Sequence, residues 1–154
     1  VPALTMKSNS EVVSAQSFLR KMMQDGNTAE AKKALKALIA DVPYSNKKMA
    51  SMDMEERYRL IMSTIFRALG FRVEVERMLA TGRIDMIVEV PSFIYVLELK
   101  LSNNGGISAA ESQIKDKSYT EPFKADKRKV IALAVELDET GKGLIDWKEV
   151  DESL

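Results

Sequence analysis

Two apolar segments joined by a Pro-Ser pair constrain the fold of this chain more than any other feature. The stretch GRIDMIVEVPSFIYVLELKL, residues 82–101, has the composition of two buried strands that meet at Pro91 and Ser92. If the turn is centred between these two residues, antiparallel partners have residue numbers that sum to 183, which places Asp85 opposite Glu98. The sequence therefore predicts a central β-hairpin with a defined register.

One side of this hairpin is apolar throughout, whereas the other side becomes charged at the end distant from the turn. Directly opposed residues point to the same side with Cβ atoms about 5 Å apart, and Lys100 joins Asp85 and Glu98 by the strand period of two. Two carboxylates in this position repel each other, and a divalent cation such as Mg²⁺ would remove the repulsion. An exposed strand end is the other interpretation, because a Glu-x-Lys triplet also occurs at residues 30–32 on a predicted helix.

Periodicity on both sides of the hairpin predicts an α/β domain. Helical spacing of apolar residues predicts helices at 10–24, from 28 to about 41, 53–70 and 106–119, and period-two or apolar runs predict strands at 71–78, 83–90, 93–101, 128–137 and 144–147. This order of elements indicates an α/β sandwich around a small mixed sheet.

Local signals mark the ends of the first helices. Gly26 ends the first helix, Asn27 or Thr28 caps the second, and Asp53 with Glu56 is similar to a capping box. The segment SNKKMAS, residues 45–51, reads as a polar linker. The first two helices therefore form a helical hairpin ahead of the main body.

Composition restricts the chemistry that the domain can perform. The chain has 154 residues and contains neither Cys nor His, which excludes disulfides, thiolate metal sites, cysteine nucleophiles, Ser-His catalysis and imidazole zinc sites. Catalysis would have to use carboxylates, lysines, tyrosines or a metal held by oxygen. Lys plus Arg and Asp plus Glu balance at 23 each, so the net charge does not indicate nucleic acid, and the basic residues between 115 and 129 read as a solvated face.

No apolar run approaches the ~20 residues of a membrane span, and no signal-peptide pattern is found. We expect a cytoplasmic domain. Because the chain opens at Val1, we also expect it to be a piece of a longer protein.

Five segments in order resemble the PD-(D/E)xK nuclease superfamily. They are LKALIADVPY, the E-x-x-Y…IFRALGF helix, VEVE with GRIDM, YVLELKL, and AAESQIKDKSYTEPF, and together they cover most of the chain. More narrowly, the chain resembles a nuclease-like domain that lies C-terminal to an AAA-type ATPase-like domain in a large prokaryotic family. The resemblance implies a restriction-endonuclease-like α/β fold, with a mixed central sheet flanked by helices and an N-terminal helical hairpin. It divides the chain into a helical segment next to the ATPase-like domain, residues 1–50, and a nuclease-like domain, residues 51–154.

The resemblance also implies roles for acidic and basic residues. Asp85 and Glu98 would bind Mg²⁺ or Mn²⁺, and Lys100 would be the catalytic lysine. Glu55 would be an auxiliary acidic residue, although a first-turn acid favoured by the helix dipole is the other interpretation. Glu76 would be a further acidic residue of the site or an ordinary solvent-facing strand residue.

Three residues of the following helix complete the implied site. Gln113, Tyr119 and Lys117 would line the cleft and bind substrate. Without the resemblance, Gln113 and Lys117 form an i,i+4 pair on a helix surface, and Tyr119 is a core residue.

The resemblance implies Mg²⁺-dependent hydrolysis of phosphodiester bonds in nucleic acid, with DNA as the expected substrate. The alternatives are a catalytically inactive module that binds nucleic acid or docks onto an ATPase, and a structural interaction domain without a metal. The expected partners are nucleic acid and the ATPase-like domain of the same parent chain, and the oligomeric state stays open between a monomer and a homodimer.

Overall fold

The computed structural model describes residues 2–42 and 51–152, with side chains from residue 14 onward. Its α-helices are α1 (Pro2–Asp25), α2 (Thr28–Ala40), α3 (Met54–Ala68) and α4 (Gly106–Lys117). Its strands are β1 (Arg72–Met78), β2 (Arg83–Glu89), β3 (Phe93–Leu101), β4 (Lys129–Leu137) and β5 (Leu144–Val150). Most of the predicted linker at 45–51, and the Pro-Tyr pair at 43–44, lie outside the described residues.

The strands form one mixed sheet with the order β1-β2-β3-β4-β5. Neighbouring strands are antiparallel, except that β3 and β4 are parallel and are connected through α4. A parallel connection needs a crossover of a dozen or more residues, and α4 supplies it.

Helices cover both faces of the sheet, because β2, β3 and β4 carry apolar side chains on both sides. The larger core lies between the sheet and α1, α2 and α3, and its largest members include Leu19, Met23, Leu35, Tyr58, Met62, Phe66, Met86, Tyr95 and Trp147. The smaller core lies under α4 and contains Ile84, Ile87, Ile94, Val96, Ala110, Ile114, Tyr119, Ala132, Ala134 and Val150. The predicted α/β sandwich around a mixed sheet is thereby confirmed.

The predicted helix ends are confirmed at two caps. The Asn27 side chain accepts a hydrogen bond from the amide of Glu30 (3.2 Å), and the Asp53 side chain accepts one from the amide of Glu56 (2.8 Å). Between α1 and α2, Gly26 has a φ of 76°, and a Cβ added there would lie 2.5 Å from the Phe93 ring. The turn therefore needs glycine both for its backbone conformation and for close packing on β3.

The helical hairpin of α1 and α2 shares the larger core with the sheet. The Trp147 indole donates a hydrogen bond to the Thr28 carbonyl (2.8 Å), and Lys32 forms a 2.7 Å ion pair with Asp146. The part of the hairpin from Ala15 to Ile39 thus packs onto the sheet rather than being set apart from it.

Two element boundaries differ from the prediction by three residues or more. Helix α1 begins at Pro2 rather than near residue 10, and proline is well tolerated in the first turn of a helix. Strand β5 continues past Trp147 to Val150, because Val150 pairs with Ala132 and is buried under α4. None of the described helices combines the length and the apolar character that a membrane span requires.

Candidate active site

The predicted register of the central hairpin is confirmed over four residue pairs, from Glu89–Ile94 to Met86–Leu97. Beyond Leu97 the backbone pairing between β2 and β3 ends. The predicted pairing of Asp85 with Glu98 therefore does not form. Instead, the Asp85 carboxylate accepts a hydrogen bond from the amide of Leu99 at 2.8 Å. The side chain of Asp85 thus takes the place of a backbone carbonyl at the point where the strands separate.

A cavity of about 390 Å³ opens at this end of the hairpin. Its lining residues are Glu55, Met78, Gly82, Arg83, Asp85, Glu98, Lys100 and Gln113. The structure therefore brings together the four residues predicted as catalytic, from α3, β2 and β3.

Asp85 and Glu98 are the buried carboxylates of this cavity, each with only 2% of its surface exposed. Burial, then a hydrogen bond with Asp85 and the charge of Asp85, raise the pKa of Glu98 well above its usual range. The positive charge of Lys100 acts in the opposite direction. Two acids in contact in a poorly solvated site cannot both ionise at low cost, which favours the protonated form of Glu98.

Glu55 reaches the cavity from the first turn of α3. Burial raises the pKa of its carboxyl group, Asp85 raises it further, and Lys100 and Arg59 lower it. The positive charge of Lys100 therefore lies within reach of both Glu55 and Glu98. The cavity combines three acidic side chains and one amine.

Gln113 faces the cavity from α4, and Tyr119 holds it in place. The Gln113 side-chain amide donates to Glu98 (3.2 Å) and to the Tyr119 hydroxyl (2.9 Å), and the hydroxyl donates to the carbonyl of Arg83 (2.7 Å). Tyr119 is fully buried, and burial raises its pKa to about 12. Tyr119 thus lies behind Gln113 rather than on the cavity wall, a position that suits support of Gln113 better than the predicted contact with substrate.

Lys117 lies at the rim of the cavity. A Cβ added at Gly82 would be 3.4 Å from the Lys117 Cδ, so the Lys117 stem covers this part of the wall. The Thr81 hydroxyl donates to the Lys117 carbonyl (2.8 Å) and ties the loop between β1 and β2 to the end of α4.

Three further residues of this region, Arg59, Met78 and Arg83, were not predicted from the sequence. Arg59 forms ion pairs with Glu55 (3.9 Å) and Glu76 (2.5 Å), and its i,i+4 spacing from Glu55 was a usable signal. Met78 lines the cavity although 73% of it is exposed, and its position at the end of a strand gave no signal for this. Arg83, the first residue of β2, also lines the cavity.

Within residues 2–42 and 51–152, no group of three or more acidic side chains is arranged to hold a metal ion. Two buried carboxylates are nevertheless the number with which proteins commonly hold Mg²⁺, which completes its coordination with waters and substrate phosphate. The donor set at Asp85 and Glu98 therefore fits a hard divalent cation.

Comparison with known proteins identifies the family of the chain. A curated relative from Azotobacter chroococcum mcd 1, described as an uncharacterized protein in the vnfD 5′ region, is 31% identical over 121 residues, or 77% of this chain and 23% of the relative. The chain thus spans about a quarter of that relative's length. No solved structure matches the chain. The family profile of the PD-(D/E)XK nuclease superfamily matches residues 53–147, which is more than half of the chain and includes α3, the hairpin and α4. The chain therefore belongs to the PD-(D/E)XK nuclease superfamily.

Proposed function

We propose that this domain is a metal-dependent nuclease that hydrolyses phosphodiester bonds, with DNA as its substrate. The observation that carries the proposal is the buried pair of Asp85 and Glu98, which opens into a cavity beside Lys100. A buried acidic pair is costly to keep, and such pairs are common where a site has to bind a cation.

Asp85 and Glu98 would hold Mg²⁺ or Mn²⁺ between them. The cation would act as a Lewis acid on the scissile phosphate. The hydrogen bond from the amide of Leu99 fixes the direction of the Asp85 carboxylate, and the Gln113 amide does the same for Glu98. Hydrogen bonds from the protein therefore orient both carboxylates independently of the cation.

Lys100 and Glu55 would act on the water and the phosphate. The Lys100 ammonium would orient the attacking water and offset the negative charge that grows on the phosphate. Glu55 is half-buried with a raised carboxyl pKa, which suits it to take up the proton that the water loses.

Basic side chains at the rim would bind the rest of the substrate. Arg83 lines the cavity, and Lys117 lies over Gly82 beside it. Because the net charge of the chain is zero, DNA affinity would depend on such a local patch and would fall steeply with salt.

The test is cleavage of plasmid, single-stranded DNA and RNA with Mg²⁺ or Mn²⁺. Lys100→Met should lower kcat roughly 100-fold or more, while Lys33→Met, an exposed lysine on α2, should leave kcat unchanged. Cleavage that survives both Glu98→Gln and Lys100→Met would come from a contaminant and would refute the proposal. Salt-sensitive DNA binding without cleavage would instead indicate the inactive nucleic-acid-binding module.

We also propose that residues 51–154 are the nuclease-like part of a longer protein, with residues 1–50 leading to an ATPase-like domain. The support is that the curated relative is far longer than the aligned region. Pull-down of the ATPase-like part of the parent chain by residues 1–154 would test the association, and the absence of any complex would count against it.

A further inference from the structure

Strand β1 changes conformation at Glu76, the residue that stands opposite Asp85. The flanking pairs Val75–Met86 and Arg77–Ile84 keep one register, yet no pair forms between Glu76 and Asp85. Glu76 has a φ of 54°, in the left-handed region that is unfavourable for a glutamate. Backbone strain of this kind persists only where the surrounding structure enforces it.

The interruption also changes the side of the sheet on which the following residues lie. Met86 belongs to the core under α1, α2 and α3, and by the period of two Ile84 should share that side. Ile84 lies instead in the core under α4, and its partner Arg77 stacks over the Phe123 ring on that same side, 5.2 Å from the centroid. The left-handed conformation of Glu76 therefore places Arg77 and Ile84 on the side of the sheet opposite to the one that the strand period predicts.

This change leaves Asp85 outside both neighbouring ladders. It pairs neither with Glu76 in β1 nor with Glu98 in β3. Its carboxylate can therefore lie within the opening of the sheet and accept the hydrogen bond from Leu99. In a regular ladder the same side chain would stand perpendicular to the sheet and could not reach that amide.

The Glu76 side chain is linked through Arg59 to Glu55, the acidic residue that α3 contributes to the cavity. Its carboxylate lies 2.5 Å from the Arg59 guanidinium, which in turn lies 3.9 Å from Glu55. The Arg59 side chain is 13% exposed and the Glu76 side chain 42% exposed, so solvent screens their ion pair in part. Arg59 thus links Glu55 on α3 to the distorted residue of β1.

We propose that Glu76 is a positioning residue of this site. Its backbone conformation releases Asp85 from the ladder, and its carboxylate holds Arg59 beside Glu55. The inference rests on the proposed function only in that Asp85 and Glu55 serve a metal-dependent reaction. The conformational part can be tested without any metal.

The experiment compares glycine and valine at Glu76 with the same substitutions at Glu74. Glu74 is a matched control, because it lies in the same strand, pairs regularly with Ile87 and also forms an ion pair with an arginine, Arg77, at 3.8 Å. Glycine accepts a positive φ without strain, whereas valine disfavours it strongly. The measurements are Tm, Mn²⁺ affinity by calorimetry without DNA, and kcat and KM for DNA cleavage.

Four results are expected. Glu76→Gly should keep the wild-type Tm or exceed it by up to ~4 °C, whereas Glu74→Gly should lower the Tm. Glu76→Val should weaken Mn²⁺ binding about 10-fold or more, whereas Glu74→Val should not change it. Glu76→Gly should keep Mn²⁺ affinity within about threefold of wild type. It should also lower kcat with KM unchanged, because Glu55 loses its anchor.

Three outcomes would overturn the inference. An equal loss of Tm in Glu76→Gly and Glu74→Gly would mean that residue 76 needs no left-handed conformation, and this comparison also decides the question if Glu76→Val does not fold. Wild-type Mn²⁺ affinity in Glu76→Val, with affinity lost in Asp85→Ala, would remove the positioning role alone. Wild-type Mn²⁺ affinity in Asp85→Ala would refute the proposed function as well as the positioning role.

Discussion

Replacement of Glu98 by glutamine is expected to stabilise the metal-free domain while it abolishes metal binding. In the metal-free protein Glu98 is buried and shares a hydrogen bond with Asp85, and both effects raise its pKa well above the ordinary value of 4.5. A glutamine can donate to Asp85 and accept from Gln113 in the same way, without a proton that has to be retained. The substitution therefore removes a cost of folding and leaves the hydrogen bonds in place.

The magnitude follows from the proton balance between the folded and unfolded chains. At pH 7 the unfolded Glu98 is ionised, whereas the folded Glu98 keeps its proton. Each pH unit above the unfolded value of 4.5 costs roughly 1.4 kcal/mol, so the penalty at pH 7 is about 3 kcal/mol. Because the pKa of Glu98 is higher in the folded chain, the protonated Glu98 stabilises the fold fully below pH 4.5. This stabilisation is lost as the pH rises toward the folded pKa.

The assay is urea unfolding of wild type and Glu98→Gln between pH 4 and pH 8 in the presence of a chelator. The difference in unfolding free energy should be near zero at pH 4 and should grow to about 3 kcal/mol in favour of the variant at pH 7. Glu121→Gln, on an exposed glutamate paired with Lys124, serves as the control and should show no such slope. A constant difference across this pH range, or a less stable variant at pH 7, would refute the reasoning.

Three further predictions concern the metal, the support of Gln113 and the turn at Gly26. Mg²⁺ affinity should rise up to about tenfold per pH unit between pH 6 and 8, because the cation displaces the proton of Glu98, whose pKa is raised. Calorimetry in two buffers would show the release of this proton, and a Mg²⁺ affinity that does not change with pH would contradict the prediction. Tyr119→Phe removes hydrogen bonds to Gln113 and the Arg83 carbonyl, so it should lower the unfolding free energy by about 1–3 kcal/mol, and unchanged urea denaturation would speak against this network. Gly26→Ala should cost about 2 kcal/mol, since its Cβ would meet the Phe93 ring at a positive φ; an unchanged Tm would show that the turn relaxes freely.

The shared cavity of Asp85, Glu98 and Lys100 could be predicted because it depends on two regular rules. The Pro-Ser turn sets the hairpin register, and the strand period places Glu98 and Lys100 on one side. The helical position of Glu55 depends on the equally local cap at Asp53. Local rules of this kind are visible in a single sequence.

The distortion around Asp85 could not be predicted, because it depends on tertiary contacts. No local preference places a glutamate at a positive φ, so the conformation of Glu76 follows from contacts such as its ion pair with Arg59. The same holds for Tyr119, whose burial depends on the packing of α4 against the sheet. The sequence showed which residues meet in the cavity, but not how the strands open to admit them.

The sharing of one core by the helical hairpin and the sheet sets a lower limit on the piece of chain that can fold alone. The family profile starts at residue 53, but a polypeptide cut there would leave Trp147 and Tyr95 without the helices that cover them. Aromatic surfaces of this size favour aggregation once they face water. Truncation at residue 53 should therefore yield inclusion bodies, and we expect the smallest piece that folds alone to include α2 and the part of α1 that packs on the sheet.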